Sequence, residues 1–281
     1  MTAQHDQNAG PDPYTSPKTF YGSELRRVRE EAGLSQTEVG ERCFCSGTYI
    51  GQFEAAVRRP QPDISRMLDE AFGTGKHFRR LCELARRSKL PSYFEDAAEL
   101  EKLAEAISTY ESTFVPSLLQ TESYARALIN AAQRFAPSKV VDDLVRSRME
   151  RGSVVDEATG PLLWVIIHEA VLNVRVGGAS VMAEQLSALA ETMRMNRRVL
   201  VQVLPYAAGE QAFLNGTMVL MAFADSPPAV YTESAYTGQL IDEPSLVAQY
   251  QRAYDLVRAA SLPSEASLAL IESTAKEFAK Q

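Results

Sequence analysis

The stretch SQTEVGERCFCSGTYIGQFE, Ser35 to Glu54, reads as two short amphipathic helices with a tight break between them. Ser35 is placed as an N-cap. Glu38, three residues on, completes a capping box in which each side chain covers an open amide of the first turn. The first helix buries Val39 and Cys43. Gly40 in its middle costs about 1 kcal/mol against alanine, which a close approach by the second helix explains. Ser46 caps that second helix, whose apolar stripe is Tyr49, Ile50 and Phe53.

A helix pair of this size fits duplex DNA when the second helix enters the major groove and the N-terminus of the first faces the backbone. Gln36 then meets a phosphate with help from the neighbouring amides. Thr48 and Gln52, four apart and so on one face, read bases: glutamine pairs bidentately with adenine and threonine meets a thymine methyl. Gly47 lies on the same turn and adds no side chain. Ser46 and Tyr49 flank the groove as phosphate contacts, joined by Arg58 and Arg59 just after the helix. The plainer alternative is a polar, solvated face on an ordinary helical hairpin.

The ungapped run LSQTEVGERCFCSGTYIGQFEAAVRRP, Leu34 to Pro60, resembles the helix-turn-helix domain of the phage-repressor, xenobiotic-response-element type. The resemblance implies that Gln36 touches phosphate, that Gly47, Thr48 and Gln52 face bases, and that Arg29 pairs with Glu54. Two positions depart from the pattern. Phe44 stands where the turn usually has glycine, a position that wants positive φ and should strain a phenylalanine. Ala56 stands where glycine usually follows the recognition helix.

Composition limits what surrounds this hairpin. The 281 residues, 45% hydrophobic and 23% charged, suit a globular chain of two domains. The net charge of -7 divides unevenly. Residues 21–90 carry 13 Lys+Arg against 10 Asp+Glu, whereas residues 91–281 carry 15 against 24. The basic part is the part with the hairpin, an electrostatic footprint for DNA on one domain only.

Three cysteines, Cys43, Cys45 and Cys82, suit a reducing compartment. The Cys43–Cys45 spacing is too tight for a zinc knuckle and lacks a second pair, so neither metal nor cofactor is expected. Gly75-Lys76 fails as a phosphate loop, because Glu70 and His77 stand where the motif needs glycine and a hydroxyl. No apolar run approaches the ~18 residues of a membrane span. Residues 1–20 lack a signal-peptide core and read as a mobile tail. A cytoplasmic, nucleoid-associated protein is the expectation.

Along the chain, Ser23 is expected to cap a first helix through Glu31 that ends at Gly33. Asp63 is expected to cap a fourth helix after Pro60 and Pro62, and Gly73-Thr-Gly75 separates it from a fifth. The helix-turn-helix domain thus spans residues 21–90. After Pro91 a helix is expected from Tyr93 to Tyr110, and another from Asp142 to Arg151 with Arg146, Arg148 and Arg151 along it. Strand periodicity marks Leu162–Ile167, Val199–Leu204, Thr217–Phe223 and Val230–Glu233. A helix from Ser180 to Met195 joins the first two strands, so a parallel crossover is expected, and Asp225 to Pro228 turns the last two into a hairpin. Two helices, Pro244–Ala260 and Ser264–Lys280, close the chain. The fold class is α plus α/β: a five-helix N-terminal domain, then helices around a small mixed β-sheet over residues 91–281.

The second half is also similar to a known family. VPSLLQTESYARALI, HEAVLNVRVGGASVMAEQLSAL, VLVQVLP and AVYTES, in this order and spacing, resemble the C-terminal domain of the WhiJ-like regulators of actinomycetes, with Ser117 where many members have glycine. The resemblance implies a transcriptional regulator, often a repressor of developmental genes, working with a small partner protein of the BldB-like or antitoxin-like kind.

Catalysis is not expected. Of three histidines, His5 and His77 lie outside the second half. His168 and Glu169, adjacent on a strand, point to opposite faces. No nucleophile elbow or dinucleotide turn is present. Glu169 and Arg175 read as loop supports. Arg146, Arg148 and Arg151 read as a solvated face or a site for an acidic partner. Two functions remain: a homodimeric reader of a DNA operator whose second domain binds an effector or partner, or an antitoxin-like interaction module with weak DNA binding.

Overall fold

A computed structural model of the chain describes residues 12–87, 93–155, 160–213, 216–234 and 237–281. Residues 1–11 of the expected tail, and Pro91 at the expected boundary, lie outside them. The chain divides into two units, one running to Leu100 and including Ala224–Pro227, the other comprising Glu101–Phe223 and Pro228–Gln281. The division falls inside a helix. It also assigns a short turn from late in the sequence to the helical unit.

The helical unit is built from α1 (Pro17–Glu31), α2 (Gln36–Arg42), α3 (Gly47–Glu54), α4 (Pro62–Phe72) and α5 (His77–Arg87). The first helix begins earlier than the Ser23 cap implies. Ser16 caps it, accepting from the Thr19 amide at 3.0 Å while the Thr19 hydroxyl accepts from the Ser16 amide at 2.8 Å. Pro17 sits at the first helical position, where no amide hydrogen is needed, so the last residues of the expected tail in fact open the fold. The fourth helix likewise starts one residue before Asp63, with Pro62 at its first position and Asp63 within the first turn. Asp69, buried, organises the α4–α5 corner. Its carboxylate accepts from the Phe78 amide at 2.9 Å, the Thr74 hydroxyl at 2.7 Å and the Arg79 guanidinium at 3.0 Å. Burial alone would raise its pKa, but these hydrogen bonds outweigh it and hold the carboxyl below the usual range. Tyr21, Leu25, Val39, Ile50, Phe53, Leu68 and Phe78 close one core.

In the second unit a six-stranded sheet runs in the order β3-β2-β1-β4-β5-β6, formed by β1 (Ala106–Glu111), β2 (Leu162–His168), β3 (Val199–Leu204), β4 (Thr217–Ala222), β5 (Ala229–Ser234) and β6 (Thr237–Ile241). β1, β2 and β3 are parallel, and β4, β5 and β6 continue the sheet antiparallel. The helix α9 (Ala179–Met195) makes the β2–β3 crossover. Two strands depart from the sequence expectation. The helix expected to reach Tyr110 stops: α6 spans Tyr93–Leu103, and Ala106–Glu111 becomes the central strand. Leu100, Ala104 and Ile107 keep helical spacing across the break, which hides it, but Ile107, Thr109 and Tyr110 are β-branched or aromatic and suit a pleated surface. β6 carries Gly238 and Gln239, poor strand formers, and is ordered by its pairing with β5.

On one sheet face Tyr110, Ile166, Met218, Leu220 and Val230 pack against α10 (Pro244–Ala260) through Val247, Tyr254 and Val257. The helices α7 (Glu122–Ala132) and α8 (Ser138–Gly152) pack together through Ile129, Val141 and Val145, and α11 (Ser264–Phe278) packs on α9.

The segment Val115–Thr121 is tied down by a buried glutamine. Gln185 of α9 accepts from the Thr121 amide and donates to the Leu119 carbonyl, each at 2.8 Å. Thr121 in turn caps α7.

Candidate nucleic-acid interface

Backbone chemistry sets the local geometry of the α2–α3 pair. Ser35 and Glu38 form the reciprocal capping box at the start of α2. Phe44 in the turn adopts φ 53° with its ring 88% exposed, so the left-handed conformation is kept without the glycine that favours it. Ala56, after α3, does the same at φ 54°. Ser46 caps α3 by accepting from the Tyr49 amide at 3.1 Å.

Glycines let the two helices touch. A methyl on Gly40 would lie 2.6 Å from the Cys45 carbonyl oxygen, and one on Gly47 would lie 2.8 Å from the Thr37 backbone. The absence of a side chain at both positions is therefore a packing requirement.

A polar network then fixes the pair to α1. Arg29 donates to both oxygens of Glu54, at 2.5 and 3.0 Å, and to the Leu34 carbonyl at 3.0 Å. Gln36 donates to Glu54 at 2.9 Å. Arg29 and Glu54 are both largely buried, which makes this two-pronged pair a structural clamp.

The residues that sequence reading aims at DNA are disposed unequally. Thr48 is exposed, and Gly47, Ser46, Gln36 and Arg59 are partly so. Tyr49 is in the core, its ring 4.6 Å from that of Phe53 and beneath the Arg58 guanidinium at 5.3 Å. Its apolar body fills the base of α3, so it does not stand at the surface as a phosphate contact requires. Gln36 faces Glu54 rather than outward, because the Gly51 backbone gives it room there.

Gln52 and Arg58 are 6% and 1% exposed. Both donate to the turn Ala224–Pro227, which belongs to this unit. Gln52 Nε2 reaches the Ser226 hydroxyl at 3.4 Å, and Arg58 Nη2 reaches the Pro227 carbonyl at 2.6 Å. The Ser46 hydroxyl donates to the Asp225 carbonyl. Sequence reading assigns Asp225 to Pro228 only to a hairpin. Nothing local in those residues signals a long-range contact.

The arginines of α8 do not share one face. Arg151 forms a two-pronged pair with buried Glu101 at 2.6 and 2.7 Å. Arg148 donates to Gln120 at 3.2 Å, and Arg146 is exposed beside Asp143. Near this pair Glu111 is pushed up from 4.5 to about 8, by burial and by Glu233, against the opposing pull of Arg151. His168 and Glu169 serve the backbone: His168 accepts from the Ala170 amide and Glu169 from the Tyr206 amide. Arg175 lies over the Phe278 ring.

Among the described residues no group of three or more side chains is arranged to hold a metal ion, and no helix is long and apolar enough to cross a membrane.

Two capped helices with a tight turn, clamped onto α1 and ending in a short recognition helix, define a helix-turn-helix DNA-binding regulator. Residues 21–82 match the family model of a helix-turn-helix domain. Residues 94–273 match a domain of unknown function (DUF5753), and the chain belongs to that family. No curated protein matches the chain, and no solved structure does.

Proposed function

We propose that the chain is a sequence-specific transcriptional repressor of the WhiJ-like kind, acting on the nucleoid in the cytoplasm. Thr48 and Gln52 read base edges across the glycine surface at Gly47, while Ser46, Arg58 and Arg59 hold phosphates. Gln36 steadies the helix pair through Glu54 and turns its remaining capacity to the backbone. The observation that carries this reading is the α2–α3 pair itself, clamped by Arg29, Gln36 and Glu54 so that Thr48 stands free on the N-terminal part of α3. The second unit dimerises the chain, placing two recognition helices about one helical turn apart, and binds a small BldB-like or antitoxin-like protein. Arg146 is the arginine of α8 open to an acidic partner. The role is non-enzymatic, in keeping with the structural engagement of His168 and Glu169.

A second reading, an antitoxin-like interaction module with weak DNA binding, is favoured by the burial of Gln52 and Arg58. Mobility-shift titration on the duplex upstream of the chain's own gene separates the two. Specific binding that weakens on Thr48→Ala and Gln52→Ala, by about 1–3 kcal/mol for a lost bidentate contact, supports the repressor. Equal binding to any duplex, lost with modest salt, supports the interaction module.

A further inference from the structure

We propose that the Ala224–Pro227 turn is an intrachain cover for the recognition helix, competing with DNA for the side chains that read and grip it. The inference rests on the DNA-reading role argued above and adds a regulatory device to it.

The contacts are chemically selective. Three donors on the helix-turn-helix, the Ser46 hydroxyl, Gln52 Nε2 and Arg58 Nη2, meet three successive acceptors: the Asp225 carbonyl, the Ser226 hydroxyl and the Pro227 carbonyl. In a complex with DNA, Ser46 and Arg58 would give these hydrogens to phosphate oxygens and Gln52 would give its own to an adenine N7. The turn is suited to imitate that surface. Pro227 and Pro228 have no amide hydrogen, so the segment offers acceptors with few competing donors, and Asp225 adds an acidic side chain. A duplex cannot reach Gln52 or Arg58 while the turn is in place, since the two are 6% and 1% exposed.

The cover is also incomplete. Gln52 Oε1 is buried without a hydrogen-bond partner, and the bond from Nε2 is long at 3.4 Å. Adenine would supply both halves, donating from N6 to Oε1 and accepting at N7 from Nε2. Thr48 stays exposed. The turn therefore blocks the inner contacts while satisfying Gln52 less well than its cognate base would, which makes it displaceable by the right sequence and resistant to the wrong one. Apparent affinity falls by the fraction of molecules with the turn released.

The test uses the full chain and a duplex selected from a random-sequence pool by a variant in which Asp225, Ser226 and Pro227 are all replaced by glycine. The freed variant should bind that duplex at least about 10-fold more tightly than the wild type, and adding Gln52→Ala should abolish the gain. Ser226→Glu, which sets a carboxylate beside Gln52 and one residue before the Pro227 acceptor of Arg58, should weaken binding. Equal affinity of the wild type, the glycine variant and Ser226→Glu, with Gln52→Ala still weakening the wild type, overturns the cover and leaves the DNA-reading role standing. Failure of the folded glycine variant to select any sequence overturns both. Melting curves establish that each variant is folded; if the triple replacement does not fold, an unchanged affinity of Ser226→Glu for the upstream duplex is enough to overturn the cover.

Discussion

At the scale of single residues, Phe44 shows how a local rule can be broken without changing the architecture. An L-residue in the left-handed region is crowded by its own Cβ, at roughly 1–2 kcal/mol, and a ring that is 88% exposed recovers little of that by packing. Phe44→Gly should therefore stabilise the helical unit by about 1 kcal/mol, read as a rise in its melting temperature; a fall would mean that the exposed ring packs on something that stabilises the chain. Glu111 carries a different signature. Burial and the Glu233 carboxylate raise its pKa from 4.5 to about 8, so between those values the folded chain binds more protons than the unfolded one. Its contribution is full below about pH 4.5 and is lost as pH climbs through about 8. Glu111→Gln should melt close to the wild type at pH 4 and be the more stable protein at pH 8, by roughly 4 kcal/mol. Parallel melting curves across that range would show that the carboxyl titrates normally.

At the scale of elements, the helix pair was legible because its signals are local: Ser35 and Glu38 three apart, Ser46 before an apolar stripe, and glycines where two backbones meet. β2 to β5 and the parallel crossover through α9 followed from strand periodicity for the same reason. The central strand β1 did not, since Ile107 continues the apolar spacing of α6 and only its β-branched, aromatic content marks the change. The burial of Gln52 and Arg58 was not legible at all, because it depends on a turn far away in sequence. Gln185 is a third case. It looks like one more polar residue of α9, yet its amide replaces a backbone partner for both Leu119 and Thr121. Gln185→Leu keeps the bulk and leaves a buried amide and a carbonyl unpaired, so a loss of about 2–3 kcal/mol is expected, measured by denaturant unfolding. A change below ~0.5 kcal/mol would mean that the Val115–Thr121 segment holds its position unaided.

At the scale of the whole molecule, charge decides how the protein should find DNA. The net -7 makes the chain as a whole a poor polyanion binder, and the modest +3 of residues 21–90 leaves affinity to a few placed side chains rather than to a broad basic field. Arg58 and Arg59 are the arginines that follow the recognition helix, two per chain and four in the proposed homodimer. Each phosphate neutralised contributes about -0.9 to the slope of log K against log salt, so specific binding should fall with a slope near -4. Titration of the selected duplex at several salt concentrations measures it directly. A slope steeper than about -6 would require basic side chains beyond these four to reach the backbone. A slope near -2 would place a single recognition helix on the duplex. Freeing the turn should raise the affinity at every salt concentration while leaving the slope unchanged. The same two phosphates per chain are neutralised in the final complex whether or not the turn first had to leave.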